Sequence, residues 1–182
     1  MGDSIWIGNI HSNLALQYSN DQFYEKAQFH INNAVPIIEA VGHSIYLGIA
    51  LLNRANIHIY YERYSEAISD YNQSMELVPE STVPLLHAAS LSGIGVALNR
   101  QGNYRSAESY LERGLEKAEA INSLEQIRES NKELSILYEN TGDWEKSLLS
   151  HKAYTAAKDS SFTLEQDAKL ADALSKYESD KK

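Results

Sequence analysis

Four stretches decide the fold: Asp21-Gln22-Phe23-Tyr24-Glu25-Lys26-Ala27, Tyr61-Glu62-Arg63-Tyr64-Ser65-Glu66-Ala67, Gln101-Gly102-Asn103-Tyr104-Arg105-Ser106-Ala107 and Thr141-Gly142-Asp143-Trp144-Glu145-Lys146-Ser147. Each ends 40 positions after the one before it. Other columns keep that register. Ala15, Ala55, Gly95 and Ser135 are all small, and Tyr24, Tyr64, Tyr104 and Trp144 are all aromatic. A fixed interval of this size marks an array in which each unit buries its apolar face by stacking on its neighbours.

Each unit reads as two helices. In the third, Leu91, Ile94 and Leu98 share one face of a first helix, and Ala107, Leu111, Leu115 and Ala118 share one face of a second. Gly102 and Gly142 suit the positive φ that ends a helix. Ser123-Leu124-Glu125-Gln126 and Thr163-Leu164-Glu165-Gln166 read as capping boxes that open helices, with Asp3 in the same column. Pro79 closes one helix and Pro84 opens the next. The small columns let the two helices approach closely, and bulkier residues there would overpack the contact by roughly 1–3 kcal/mol each. The aromatic column is expected to fill the space beside the turn. The expected units are about 3–42, 43–82, 83–122 and 123–162. A C-terminal capping or connecting helix over 163–182 follows, with Leu164, Ala168, Ala171, Leu174 and Tyr177 on one stripe.

The 182 residues suit one array, and the 12 Tyr argue against disorder. The chain has no Cys, which excludes disulfides, thiolate metal sites and a cysteine nucleophile. A net charge of −9 without a basic patch argues against nucleic-acid binding. The most apolar stretch, Ser44 to Tyr61, is interrupted by Asn53, Arg54 and Asn56, so no direct membrane insertion is expected. The first residues show no basic segment leading into an apolar run, so no signal peptide is expected in this sequence.

No catalytic constellation is found. His11, His30, His43, His58, His87 and His151 show no zinc-protease spacing. His58 and His151 fall in packing columns. Gly93 and Gly95 lie within a helix and follow no strand, so a dinucleotide site is excluded. Glu129 and Glu133 read as a solvated helix face. No metal and no cofactor is expected.

The columns resemble the tetratricopeptide repeat, best in the third unit through Leu91, Ile94, Gly95, Leu98, Gly102, Tyr104, Ala107 and Leu111. The period of 40 exceeds the 34 residues usual for that family. The second unit departs too, with Arg54 where the others have Leu14, Ile94 and Leu134, and with His58 in place of an aromatic or Leu. The resemblance implies an all-α, right-handed superhelical solenoid that binds a protein or peptide on its concave side. The family's groove-facing columns fall on Asn9, Ser12, Leu16, Ser19, Ile49, Leu52, Asn56, Ile59, Ala89, Ser92, Val96 and Asn99, and then on Glu129, Lys132, Ile136 and Glu139. Flanking columns add Asn13, Asn53, Tyr60, Arg100 and Asn140. The residues nominated for ligand contact are Asn53, Asn56, Tyr60, Ser92, Asn99, Arg100 and Lys132. Asn offers a donor and an acceptor to an extended backbone. Arg100 and Lys132 are placed to hold one acidic group. The first unit lacks the basic pair of the chaperone-binding members, so chaperone binding is not expected.

The run from His151 to Phe162, followed by a helix ending Lys176-Tyr177-Glu178-Ser179-Asp180-Lys181-Lys182, is similar to the junction below the tetratricopeptide sensor regions of Bacteroidetes-type histidine kinases and related regulators. That resemblance implies a periplasmic sensor region of a two-component signalling protein. The alternatives are a cytoplasmic peptide receptor and a scaffold that forms a homodimer through Leu170, Leu174 and Tyr177 of the C-terminal helix.

Overall fold

The computed structural model describes the backbone of residues 2–180, and the side chains of residues 4–163 together with 166, 169 and 170. The stripe residues Leu164, Ala168, Ala171, Leu174 and Tyr177, and the cap column at Asp3, lie outside the described side chains. The described chain is all α-helix: α1 (Gly2–Asn20), α2 (Tyr24–Val41), α3 (Ser44–Tyr60), α4 (Tyr64–Leu77), α5 (Pro84–Arg100), α6 (Tyr104–Ala120), α7 (Leu124–Thr141) and α8 (Trp144–Asp180).

The turns follow one rule. Gln22, Glu62, Gly102 and Gly142 all have a positive φ, from 58° to 79°. The next N–H then reaches back to donate to a carbonyl in the last turn of the helix: Phe23 to Tyr18, Arg63 to His58, Asn103 to Leu98 and Asp143 to Tyr138, at 2.8–2.9 Å. This reversal satisfies carbonyls that have no partner within the helix. Gly42 and Asn122 take the same conformation between units.

Both small columns, Ala15, Ala55, Gly95 and Ser135 on the first helices and Ala27, Ala67, Ala107 and Ser147 on the second, are buried at the crossing of the two helices in each pair. A Cβ added to Gly95 would lie 2.6 Å from Leu111 Cγ and 3.1 Å from the Ala107 carbonyl, so only hydrogen fits. In the last pair both columns hold serine, and the Ser135 and Ser147 hydroxyls stand 3.3 Å apart in a hydrogen bond.

Neighbouring helices in sequence pack together throughout. In addition α1 touches α3, α3 touches α5, and α5 touches α7, whereas the even-numbered helices make no such contact with one another among the described residues. Elements that converge on one side and splay on the other curve the stack. The odd-numbered helices therefore form the concave layer.

Several expectations are corrected. Trp144 is 69% exposed, so its ring sits outside the turn and fills no space there. Tyr24, by contrast, is half-buried and stacks on Tyr60 at the end of α3. Ser123 holds the N-cap position without a side-chain cap, whereas His43, two periods earlier, caps through Nδ1. Thr163 opens no helix. It lies inside α8, where its hydroxyl donates to the Asp159 carbonyl at 3.0 Å. No Gly, Pro or αL residue interrupts the 37 residues of α8, so the helix runs about 55 Å, against about 27 Å for the 18-residue α7 beside it. His151 is exposed and packs in no core.

Candidate functional site: a concave groove

The concave layer carries two adjoining depressions. One, of about 510 Å³, is lined by Leu16 and Asn20 of α1, Ile49, Leu52, Asn53 and Asn56 of α3, Val83, Leu85, Leu86 and Ala89, and Glu125 and Gln126 of α7. The other, of about 260 Å³, is lined by Asn56, Ile59, Tyr71, Ala89, Ser92, Gly93, Val96, Gln126, Glu129 and Glu133. Asn56, Ala89 and Gln126 belong to both, so the two form one groove across α1, α3, α5 and α7.

Asn56 stands at their junction with its side chain oriented. Its Oδ1 accepts a 2.6 Å hydrogen bond from the Tyr71 hydroxyl, which aligns the amide and leaves Nδ2 available. Tyr71 is buried, and desolvation drives its phenol well above the ordinary tyrosine range. Gly93 leaves room for that ring, since a Cβ there would collide with it.

The nominated residues separate into three groups. Asn53, Ser92 and Asn99 are buried between helices, a correction to their reading as open ligand contacts. Asn53 Nδ2 donates to Ser12 Oγ at 3.1 Å, Ser92 and Ser130 share a 2.8 Å hydrogen bond, and Asn140 Nδ2 donates to Asn99 Oδ1 at 3.1 Å. Each bond ties one concave helix to the next, roughly one period on. Tyr60 lies at the turn edge, in a separate depression with Phe23, Tyr24 and Lys26. Only Asn56 of the seven is exposed and set in the groove. Asn20, Leu85, Glu125 and Gln126 were missed, because all four sit in the first or last turn of their helices and the helix rotation is set by packing that no local pattern encodes.

Arg100 and Lys132 are exposed, and the acidic group between them belongs to the chain itself. Glu133 Oε2 lies 3.9 Å from Arg100 Nη2, and Oε1 lies 4.0 Å from Lys132 Nζ. Glu133 is not a solvated residue: its side chain is only 13% exposed and Oε2 has no hydrogen bond. Burial raises its carboxyl above the ordinary range, Lys132 and Arg100 pull it down, and Glu129 adds a smaller upward push. Glu129 is paired with Arg128 at 2.9 Å and with Lys132 at 3.6 Å.

Elsewhere, His11 and His30 of the first helix pair share a 2.9 Å Nδ1–Nδ1 hydrogen bond. Among the described residues no group of three His, Asp or Glu stands close enough to hold a metal ion, and no helix is long and apolar enough to cross a membrane.

These features define a class: a curved all-α repeat solenoid with a groove on its inner face. Residues 6–80 match the family model described as tetratricopeptide repeat. Among solved structures the chain is similar to aspartyl phosphate phosphatase F from Bacillus subtilis, with a TM-score of 0.72 and 19% identity. That likeness covers 86% of this chain and 41% of the other, so the chain spans less than half the length of its structural neighbour. No curated protein matches by sequence.

Proposed function

We propose that the concave face is a groove for a protein or peptide ligand and that this chain acts by binding rather than by catalysis. The observation that carries the reading is the junction of the two depressions at Asn56. Leu16, Ile49, Leu52 and Leu85 offer an aliphatic floor on one side of it, and an oriented amide stands at the crossing. An extended segment would set apolar side chains on that floor and pair its backbone with Asn56 Nδ2 and the Gln126 amide. The phosphatase activity in the structural neighbour's name belongs to that protein, since the likeness concerns fold.

The test uses peptides selected from a random display library against the purified chain. Asn56→Ala and Val96→Asp should each weaken binding about tenfold or more, and Glu112→Lys on the outer helix α6 should leave it unchanged. Equal affinity in all three variants would remove the groove assignment.

A finer reading makes these repeats the sensor region of a bacterial signalling protein such as a histidine kinase, which would place them in the periplasm; otherwise they are cytoplasmic. The junction sequence supports it, as does the continuity of α8, a single unbroken helix from Trp144 to Asp180. The gene should then encode a membrane span and an output domain after Lys182, and a stop codon there would exclude that role. If α8 instead pairs two copies, light scattering should give a dimer mass that falls to a monomer on deleting residues 163–182.

A further inference from the structure

Two departures from the repeat columns occur in the same unit. Arg54 replaces the aliphatic residue found at Leu14, Ile94 and Leu134, and His58 stands in the column of Tyr18, Leu98 and Tyr138. Both line an open depression of about 650 Å³, together with Gln28, Asn32, Tyr61 and Arg63. It shares no residue with the concave groove and lies where α2 meets α3 and the start of α4.

Behind the wall is Asp70, buried, which accepts from Arg54 Nε at 2.7 Å and Nη2 at 2.6 Å and lies 3.5 Å from His58 Nε2. Stability does not call for this arrangement. Replacing a buried ion pair with apolar residues is often neutral or stabilising, and the other units fill the Arg54 column with aliphatic residues.

The hydrogen-bonding capacity left over is mainly that of donors. Gln28 Oε1 already accepts from Arg63, and Asn32 Oδ1 already accepts from Gln28 Nε2 at 2.8 Å. No acidic residue lines the depression. What remains is the Asn32 amide N–H pair, the second Gln28 amide hydrogen, the Tyr61 hydroxyl, the third nitrogen of the Arg54 guanidinium, and Arg63, whose Nε is buried without a partner. His58 Nδ1 is also buried without a partner.

We propose that this depression is an oxyanion site that takes a phosphate group, either free or carried by a small phosphate monoester. Donors arrive from three elements, which suits a tetrahedral anion better than a planar carboxylate. Arg supplies the fork that recognises phosphate.

Binding also couples to protons. Burial holds free His58 below its ordinary range, Arg63 and Arg54 act in the same direction, and Asp70 and Glu66 oppose them. An anion beside the ring favours its protonated form, so anion binding and protonation of His58 are linked.

The test is two-dimensional ¹H–¹⁵N NMR on the intact chain titrated with inorganic phosphate, glycerol phosphate and, at equal ionic strength, acetate. Phosphate or the monoester should shift the Gln28, Asn32 and Arg63 side-chain N–H signals saturably, with acetate inactive. A tighter monoester assigns the source to a phosphorylated small molecule, and equal or tighter inorganic phosphate assigns it to the free ion. Arg63→Gln and Asn32→Ala should each weaken binding about tenfold. Neither side chain caps a helix, and Asn32 is exposed, so both variants should keep the native spectrum. Absence of saturable shifts with both phosphates, an equal response to acetate, or affinity unchanged in both variants overturns the proposal.

Discussion

The Arg54–Asp70 pair gives a sharp energetic prediction. Removing one partner of a buried ion pair costs about 3–5 kcal/mol, because the other charge is left without compensation. The Arg54 side chain is 29% exposed, so its guanidinium can partly rehydrate once Asp70 is gone, whereas the Asp70 side chain is only 7% exposed. Asp70→Leu should therefore cost about 2–3 kcal/mol, below the usual range, and Arg54→Leu about 3 kcal/mol or more. Arg54→Leu combined with Asp70→Leu restores the aliphatic column and should lie within about 1 kcal/mol of the parent. The coupling between the two sites is then about 4 kcal/mol, well beyond the scatter expected for independent substitutions. Urea unfolding followed by circular dichroism measures all four proteins, with thermal melts as a second readout at about 2–4 °C per kcal/mol for a chain of this size. Additive losses, with the double variant as unstable as the two singles together, would refute the reasoning.

Three further outcomes follow. Glu62→Gly relieves a positive φ of 58° and should stabilise by about 0.5–1 kcal/mol, whereas Gly102→Ala, which meets no atom within 4 Å, should destabilise by about 1 kcal/mol through φ alone; melting temperatures that move the other way exclude this view of the turns. Glu133 has a folded pKa raised by burial, so the folded state holds that proton more tightly and stability is lost as pH rises through the folded value. Glu133→Gln should therefore stabilise at neutral pH by about 1 kcal/mol, with the gain vanishing below pH 4.5 in parallel denaturation series. His30 and His58 have folded pKa values held below 6.5, foremost by burial, so the unfolded chain takes up protons first and stability falls as pH drops through 6.5; replacing both with Leu should flatten that slope, and an unchanged slope would assign it to other groups.

The architecture was legible because stacking repeats its demands every 40 residues. Ala15, Ala55, Gly95 and Ser135 meet one packing constraint in four places, and the positive-φ turns meet another. A lone capping pattern carries no such redundancy, which is why Thr163 misled: a Ser or Thr inside a helix can donate to a carbonyl one turn back and leave the helix unbroken. The groove was legible in outline only. Columns identify which helix faces inward, but a rotation of one residue decides whether an Asn meets solvent or a neighbouring helix. Asn53, Ser92 and Asn99 fell on the inner side of that line, and Asn56 on the outer. Their polar partners one period away were a usable signal, since Ser12 with Asn53 and Asn99 with Asn140 are each 41 residues apart. Asp70 carried no pattern of its own, and its significance depends on Arg54 and His58 reaching it from α3.

Chemical-shift mapping of a selected peptide on the ¹⁵N-labelled chain tests the groove most directly. Binding at the concave face should perturb Leu52, Asn56, Ala89, Val96 and Gln126 on α3, α5 and α7, and leave the exposed faces of α4 and α6 silent. Perturbations concentrated on α4 and α6, with Asn56 and Val96 unmoved, would contradict it.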